Sequence, residues 1–500
     1  MQHHIARLLF ACALAPAAAW SMPVEQASRK IADFTTKLAQ TPGFAPAYAI
    51  VIVDRDRTHL MQVSGELKAG SGVQATADSP FYIASMTKAY LGLLAAELDA
   101  RGVLKLDSTL ATYWPELKTA SGVQLGGITL RQLLSHEAAF EADLIAFMES
   151  YSASVPAKDY PRLLAATAVA RPAGFKYANL GYNVYAAVLA QVTGRVWQDW
   201  LQQAVFAPMG MTRTSARTST FGANAVAWRH QWTGERWELL EPKTDAVMQS
   251  AGGIHTSPHD MALWLRHHLA ATSVAGGPSA AAFKQALSRS SSYPATKGDL
   301  PCDGYTLGWH ACKVKELEVY AHGGGYSGMR TNMLLVPGKQ AGIAFLTNSD
   351  SMTGMVTLAT SQLFAQYLAD DPGADAQAEA LLARYRTQLG KQTANRRAAA
   401  DKRKTDPRWK GGDWQPADAE LQAYAGTYGH PILGELAITV NGGKLSWRNL
   451  AYRMALLPAS RDLFAGHAAP YDEGAVVSFT RDAAGAIRSV TWDGEVFQRQ

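Results

Sequence analysis

Phe81-Tyr82-Ile83-Ala84-Ser85-Met86-Thr87-Lys88-Ala89-Tyr90 is the stretch from which the fold is read. It sets a Ser-x-x-Lys pair at the mouth of an apolar run. Leu91, Leu93, Leu94, Ala95 and Leu98 follow, and Gly102 is a stop signal beyond them. Positions three apart share one face of a helix, so Ser85 and Lys88 point the same way, one turn apart. A serine hydroxyl is a poor nucleophile at neutral pH. A lysine amine takes its proton only when neutral, a state that burial or a second cation favours. A first-turn position also leaves the Ser85 N–H without an intrahelical acceptor, ready to face an oxyanion. Alone, a two-residue pattern carries little weight, and its partners have to be found elsewhere in the chain.

Upstream, residues 24–40 have helical spacing at Ile31, Phe34 and Leu38, and residues 48–53 and 58–64 read as strands around the turn Asp54-Arg55-Asp56-Arg57. Downstream, helix and loop dominate to about residue 287. Strand signals return at 305–309, 317–321, 331–336 and 342–347, before a helix at 352–368. Strands at both ends with a helical insert predict an α+β fold: one antiparallel sheet covered by helices, with an α-helical lobe beside it and a cleft between. This domain spans residues 22–370. Residues 371–416 read as a polar, basic linker, partly helical; eight Lys and Arg against two Asp between Lys391 and Lys410 account for the formal +5 of the chain. Without interleaved aromatics or a nucleic-acid motif, that run is a solvated segment, and no nucleic acid is expected as a partner. Residues 417–500 carry short strands and the turns Asn441-Gly442-Gly443 and Asp493-Gly494, which predict a small all-β domain, a meander or barrel.

Residues 1–7 are positively charged, residues 8–19 are apolar, and Ala17-Ala18-Ala19 offers a cleavage site, so residues 1–21 read as a signal peptide. The expected location is periplasmic or secreted, with no membrane anchor after cleavage, because no later run is long enough to span a bilayer. Removing Cys12 with the signal leaves Cys302 and Cys312, an even pair expected to be bridged in an exported protein. The bridge would tie the two sides of the 305–309 strand.

Two later segments supply partners for Ser85. Tyr177-Ala178-Asn179 offers a phenol that can relay a proton between serine and leaving group, and an amide that can bind a substrate carbonyl. His322-Gly323-Gly324-Gly325-Tyr326 follows a strand, and its glycines let an extended substrate lie close; the Gly325 N–H is a second candidate oxyanion donor. His255, His259, His267 and His268 cluster in sequence without metal-ligand spacing, so no metal site is expected. Gly325-Tyr326-Ser327-Gly328 has Met329 where a nucleophile elbow needs its last glycine.

In this order the three pieces resemble the serine hydrolase superfamily of penicillin-binding proteins and class C β-lactamases, over about residues 25–370. Gly102-Val103-Leu104-Lys105-Leu106-Asp107, Tyr113-Trp114-Pro115-Glu116 and Ser250-Ala251-Gly252-Gly253-Ile254-His255 are similar to further segments of that family. The β domain resembles an accessory domain fused to its esterase and peptidase members. The resemblance implies Ser85 as nucleophile, Lys88 as base and Tyr177 as proton shuttle. Asn179, His322, Gly324 and Gly325 would contact substrate, with the N–H groups of Ser85 and Gly325 forming the oxyanion hole. It implies an acyl-enzyme without cofactor or metal, acting on a small ester, amide or peptide. His322-Gly323-Gly324 stands where β-lactamases carry Lys-Thr-Gly, and Glu137-Ala138-Ala139 follows His136 where the family commonly continues Thr-Ser-Gly. The first departure favours esters or D-amino-acid amides over β-lactams, since histidine is mostly neutral at pH 7; the second predicts a reshaped cleft wall. A β-lactamase, a D-Ala-D-Ala carboxypeptidase and a non-catalytic binding protein on the same fold are the competing readings.

Overall fold

The computed structural model describes residues 22–500 apart from 223, 297–299, 410 and 469–473, so the signal-peptide segment lies outside the described residues. Helix α1 (Val24–Ala39) precedes strands β1 (Ala47–Asp54) and β2 (Thr58–Gly65). Helix α2 (Thr87–Ala100) follows directly on the turn that holds Ser85. The lobe that follows includes α3 (Asp143–Phe147), α4 (Leu180–Thr193), the single turn α5 (Gln249–Gly252) and α6 (Pro258–Ala270). The chain then returns to the sheet with β3 (Ser291–Ser292), β4 (Cys302–Tyr305), β5 (His310–Val314), β6 (Leu317–Tyr326), β7 (Met329–Val336) and β8 (Ala341–Thr347), and closes with α7 (Thr353–Leu368) and α8 (Ala374–Thr405). The sheet runs β3-β4-β5-β6-β7-β8-β1-β2, so its first two strands in sequence are added beside its last. Every one of these pairings is antiparallel.

Alternation along the central strands builds two cores. Ala49, Val51 and Val53 of β1 face one core with α2, α6 and the lobe, while Tyr48, Ile50 and Ile52 face the other with α1 and α7. Met333 and Leu335 of β7 join the first, Leu334 and Val336 the second. Helix α2 is buried on every side from Thr87 to Leu98 and, Thr87, Lys88 and Glu97 apart, carries only apolar or aromatic side chains there, as a helix between sheet and lobe must. Ile31, Phe34 and Leu38 of α1 are the buried face that their spacing predicts.

Two expectations are corrected. Of residues 305–309 only Tyr305 is in a strand, at the end of β4; 306–309 are the turn between β4 and β5, pressed onto α2: a Cβ on Gly308 would lie 2.4 Å from Ala89 Cα. The disulfide is present, and it joins Cys302 and Cys312 as direct cross-strand partners of this hairpin. Residues 371–416 are not a solvated linker over most of their length. They form α8, whose Leu381, Leu382, Tyr385 and Leu389 are buried in the second core. Arg396 of the basic run donates to the Trp232 carbonyl at 2.7 Å and pairs with Asp350 at 3.6 Å. A low apolar content hid one buried stripe spaced three and four residues apart.

Eight strands between Gly426 and Arg499 close into an antiparallel barrel. It includes two strands, Gly426–His430 and Leu463–His467, that sequence signals missed. Tyr428, Trp447, Phe464, Phe479 and Phe497 fill its interior. Among the described residues no helix is long and apolar enough to cross a membrane.

Candidate active site

Ser85 lies in a 3-10 turn (Ala84–Met86) that runs directly into α2. Ala84 takes a left-handed conformation, φ +44°, which costs energy in a residue with a Cβ and exposes the next side chain at a sharp bend. Lys88, one turn on, is fully buried. Its Nζ lies 3.2 Å from Ser85 Oγ and 2.8 Å from each of two acceptors, Asn179 Oδ1 and the Ala251 carbonyl. Asn179 is brought in by the start of α4, Ala251 by α5. Two fixed acceptors take two N–H bonds of a neutral amine, which aims the lone pair at Ser85. Burial pushes the Lys88 amine well below the ordinary lysine range.

Tyr177 is 39% exposed as a residue, but its hydroxyl end is turned toward Ser85, and desolvation there raises the phenol above its ordinary value. It therefore stays protonated at neutral pH. Of the two groups directed at Ser85, only the lysine can accept its proton, and the neutral phenol can donate one. Lys88 also sits over the Tyr177 and Tyr182 rings, 4.8 and 5.5 Å from their centroids. The imidazoles around this pair, His136, His310 and His322, are all pushed down, chiefly by burial, and none supplies a cation at neutral pH.

Strand β6 crosses the nucleophile turn at Gly324. A Cβ there would stand 2.1 Å from the Ile83 carbonyl oxygen and 2.3 Å from Thr331 Oγ1, so only glycine permits the approach. Gly324 faces the turn, while Gly323 and Gly325 are exposed and share the opposite face of the strand with Val319 and Ala321. This sets β6 against the Ile83 carbonyl, two residues before Ser85.

His322 is the exception among the expected site residues. Its ring is 3% exposed; Nδ1 bonds the Gly323 carbonyl at 2.7 Å and Nε2 lies 3.0 Å from the Tyr305 hydroxyl. A carbonyl only accepts, so Nδ1 carries the proton and Nε2 accepts from the phenol. Both nitrogens are taken inside the protein, and a substrate group finds neither free. The ring instead backs Tyr177, 6.0 Å away between centroids.

Two contributors escape sequence reading, and a third, His136, reads there as a structural residue. The Ala251 carbonyl lies in a segment noted above, but a backbone acceptor leaves no side-chain signal. Ser150 Oγ lies 3.4 Å from Asn179 Nδ2, and nothing in its surroundings marks it. His136, at φ +63°, accepts from the Ala178 N–H at 3.2 Å and gives its carbonyl to the Lys176 N–H at 3.0 Å, so it sets the Tyr177 loop. A cavity of about 200 Å³ opens beside Tyr177 and Asn179, walled by His136, Ala138, Phe140 and Glu141. Ala138, from the departing Glu137-Ala138-Ala139 turn, is part of that wall.

Residues 34–368 match the beta-lactamase family, and residues 414–500 match a domain of unknown function (DUF3471). Protein flp of Staphylococcus aureus (strain COL) is 23% identical over 312 residues, 62% of this chain and 61% of that protein, so the chain spans well under the whole of this relative. Among solved structures, EstCE1, a hydrolase with promiscuous acyltransferase activity, superimposes with a TM-score of 0.57 at 18% identity, over 69% of this chain and 99% of its own. The D-amino acid amidase of Ochrobactrum anthropi SV3 superimposes with a TM-score of 0.55 at 19% identity, over the same shares of the two chains.

Proposed function

Since the chain belongs to the beta-lactamase family, we propose that it is an exported serine hydrolase that cleaves small esters or D-amino-acid amides through an acyl-enzyme on Ser85. The observation that carries this reading is the buried Lys88 amine, held by Asn179 Oδ1 and the Ala251 carbonyl with Ser85 Oγ as its third neighbour. Ser85 Oγ attacks the substrate carbonyl carbon as its proton passes to Lys88 Nζ. The N–H groups of Ser85 and Gly325 take the oxyanion. The Tyr177 hydroxyl protonates the leaving oxygen or nitrogen and is reprotonated from Lys88. The carbonyl re-forms, the leaving group departs, and an ester to Ser85 remains. Water then attacks that ester by the same relay in reverse, and the acid is released.

Esters and amides are favoured over β-lactams because His322 brings no charge and no free N–H to the place where a substrate carboxylate would sit. The fold shared with a hydrolase and a D-amino acid amidase supports that substrate range. Export rests on the charged and apolar segment at residues 1–21 and on the Cys302–Cys312 bridge, a bond kept in oxidising compartments. A fluorophosphonate probe and a panel of nitrophenyl esters and D-amino-acid amides test the activity. Labelling and turnover are expected in the wild type and lost in Ser85→Ala; turnover that survives this change removes the assignment.

A further inference from the structure

The barrel does more than follow the catalytic domain in sequence. The chain after α3 forms a wide π-helical turn, Met148–Ser152, wedged between the barrel and the cleft. On the barrel side, Ser152 Oγ lies 2.6 Å from Asn449 Oδ1, and the Ser152 carbonyl accepts from the Ala451 N–H at 2.9 Å. Asn449 is itself fixed, its Nδ2 donating to the carbonyls of Leu433 and Glu435 at 2.8 and 2.9 Å. Ser152 and Asn449 are 1% and 2% exposed, so these bonds are made away from competing water. Phe147 adds an apolar anchor, 5.0 Å from the Tyr452 ring and 4.8 Å from Trp492.

On the cleft side the same turn reaches Lys88 by two routes. Ser150 Oγ accepts from Asn179 Nδ2, which orients the amide so that Oδ1 faces the amine. The Glu149 carbonyl accepts from the Met248 N–H at 2.6 Å. Met248 is in the left-handed region, φ +56°, and opens the turn that presents the Ala251 carbonyl to Lys88. The Ser150 carbonyl also accepts from the Tyr326 hydroxyl at 3.3 Å, one residue past Gly325.

We propose that the C-terminal barrel is a positioning domain for the catalytic amine: through Asn449 and Ser152 it holds residues 149–152, which in turn hold Asn179 and Ala251, two of the three groups around Lys88. The inference rests on the catalytic reading of Lys88 given above. If the turn slackens, both acceptors drift and water reaches the amine. A rehydrated lysine keeps its proton to higher pH, so the base is lost by protonation before any residue that touches substrate has changed.

The test uses the full chain carrying Ser152→Ala or Asn449→Ala, with Arg481→Ala as control. Arg481 bonds Asp462 and Tyr424 within the barrel and takes no part in the seam. Read out are thermal midpoints, kcat and KM for a nitrophenyl ester across pH, and the rate of fluorophosphonate labelling. The seam variants should lose about ten- to a hundredfold in kcat with KM little changed, the cost of a small misplacement of a catalytic group. Their acid limb should move to higher pH. Arg481→Ala should lower the midpoint and leave the limb in place. Glu149, whose carboxyl burial raises to about 7, titrates nearby; a limb that persists in Glu149→Gln belongs to Lys88, and one that vanishes there overturns the proposal. Ser152→Thr keeps the hydroxyl and should keep the rate. If Asn449→Ala does not fold, Ser152→Ala and Tyr452→Leu read the same seam. Seam variants that match Arg481→Ala, less stable but with unchanged kcat and limb, overturn the proposal alone. Labelling that survives Ser85→Ala overturns the function and the proposal with it.

Discussion

Lys88 Nζ lies 2.8 Å from Oδ1 of Asn179, a residue 91 positions later in the chain. This contact makes the amine's charge state testable. In the proposed mechanism activity requires the neutral amine, so kcat/KM should rise as pH increases through the lowered Lys88 value. Asn179→Asp would put a carboxylate against the nitrogen and favour its protonated form. An opposite charge at this range shifts a pKa by about 1–3 units, here upward for Lys88. The acid limb of kcat/KM should move to higher pH by that amount, and activity at pH 7 should fall. A limb that stays in place would show that Lys88 does not control it. Lys88→Arg, which cannot become neutral, should cost at least the 10²-fold or so ascribed to a general base.

Gly324 and Gly325 should answer differently to alanine. At Gly324 the new methyl meets the Ile83 carbonyl oxygen at 2.1 Å and must push β6 away from the nucleophile turn. The expected result is a loss of about 1–3 kcal/mol in stability and of about 10²–10³ in kcat, the cost of one oxyanion donor. At Gly325 the nearest atoms, from Arg330, begin at 3.5 Å, an ordinary contact. Gly325→Ala should fold with little loss of stability. Denaturant melts and ester kinetics on both variants check the contrast; equal effects would refute it.

The Cys302–Cys312 bridge closes a short hairpin loop. In the chain-entropy model such a loop is worth about 3 kcal/mol against the unfolded state. Double replacement by serine should lower the unfolding free energy by roughly that amount, and thiol titration of the unfolded, unreduced protein should find no free thiol. Two free thiols would end the idea.

Truncation should depend on which side of α8 the chain stops. Ending at residue 370 removes Leu381, Leu382, Tyr385 and Leu389 and bares the face of the second core that they cover. That protein should be insoluble or molten, whereas one ending after Thr405 should fold. The seam would be missing from the longer form, so its Ser85 should label more slowly than in the full chain. Solubility, near-UV dichroism and probe labelling distinguish the two; a soluble, cooperative protein ending at 370 would contradict the packing.

Ester turnover should exceed cephalosporin turnover. A β-lactam presents a carboxylate, and hydrogen bonds to a charged group are worth roughly 1.5–3 kcal/mol each. With His322 neutral and both nitrogens bonded internally, one or two such bonds are missing. At 1.4 kcal/mol per tenfold this is about one to four powers of ten in rate. The check is kcat/KM for a nitrophenyl ester against a chromogenic cephalosporin; equal values would overturn the carboxylate argument.

By itself the sequence determined the two-ended sheet, the helical insert, the later β domain and the order Ser85, Lys88, Tyr177, Asn179. Each is written in near neighbours: a continuous apolar run in β1, three-residue spacing from Ser85 to Lys88, glycine at a close crossing. Only the tertiary structure decided what surrounds Lys88, because its two acceptors lie 91 and 163 residues away and one is a backbone carbonyl. It also decided that His322 turns inward onto Tyr305, that α8 is buried along one stripe, and that Ser152 reaches Asn449 across 297 residues. Local patterns say which face of an element is apolar. They do not say which surfaces meet, and burial, charge state and long-range hydrogen bonds are properties of that meeting.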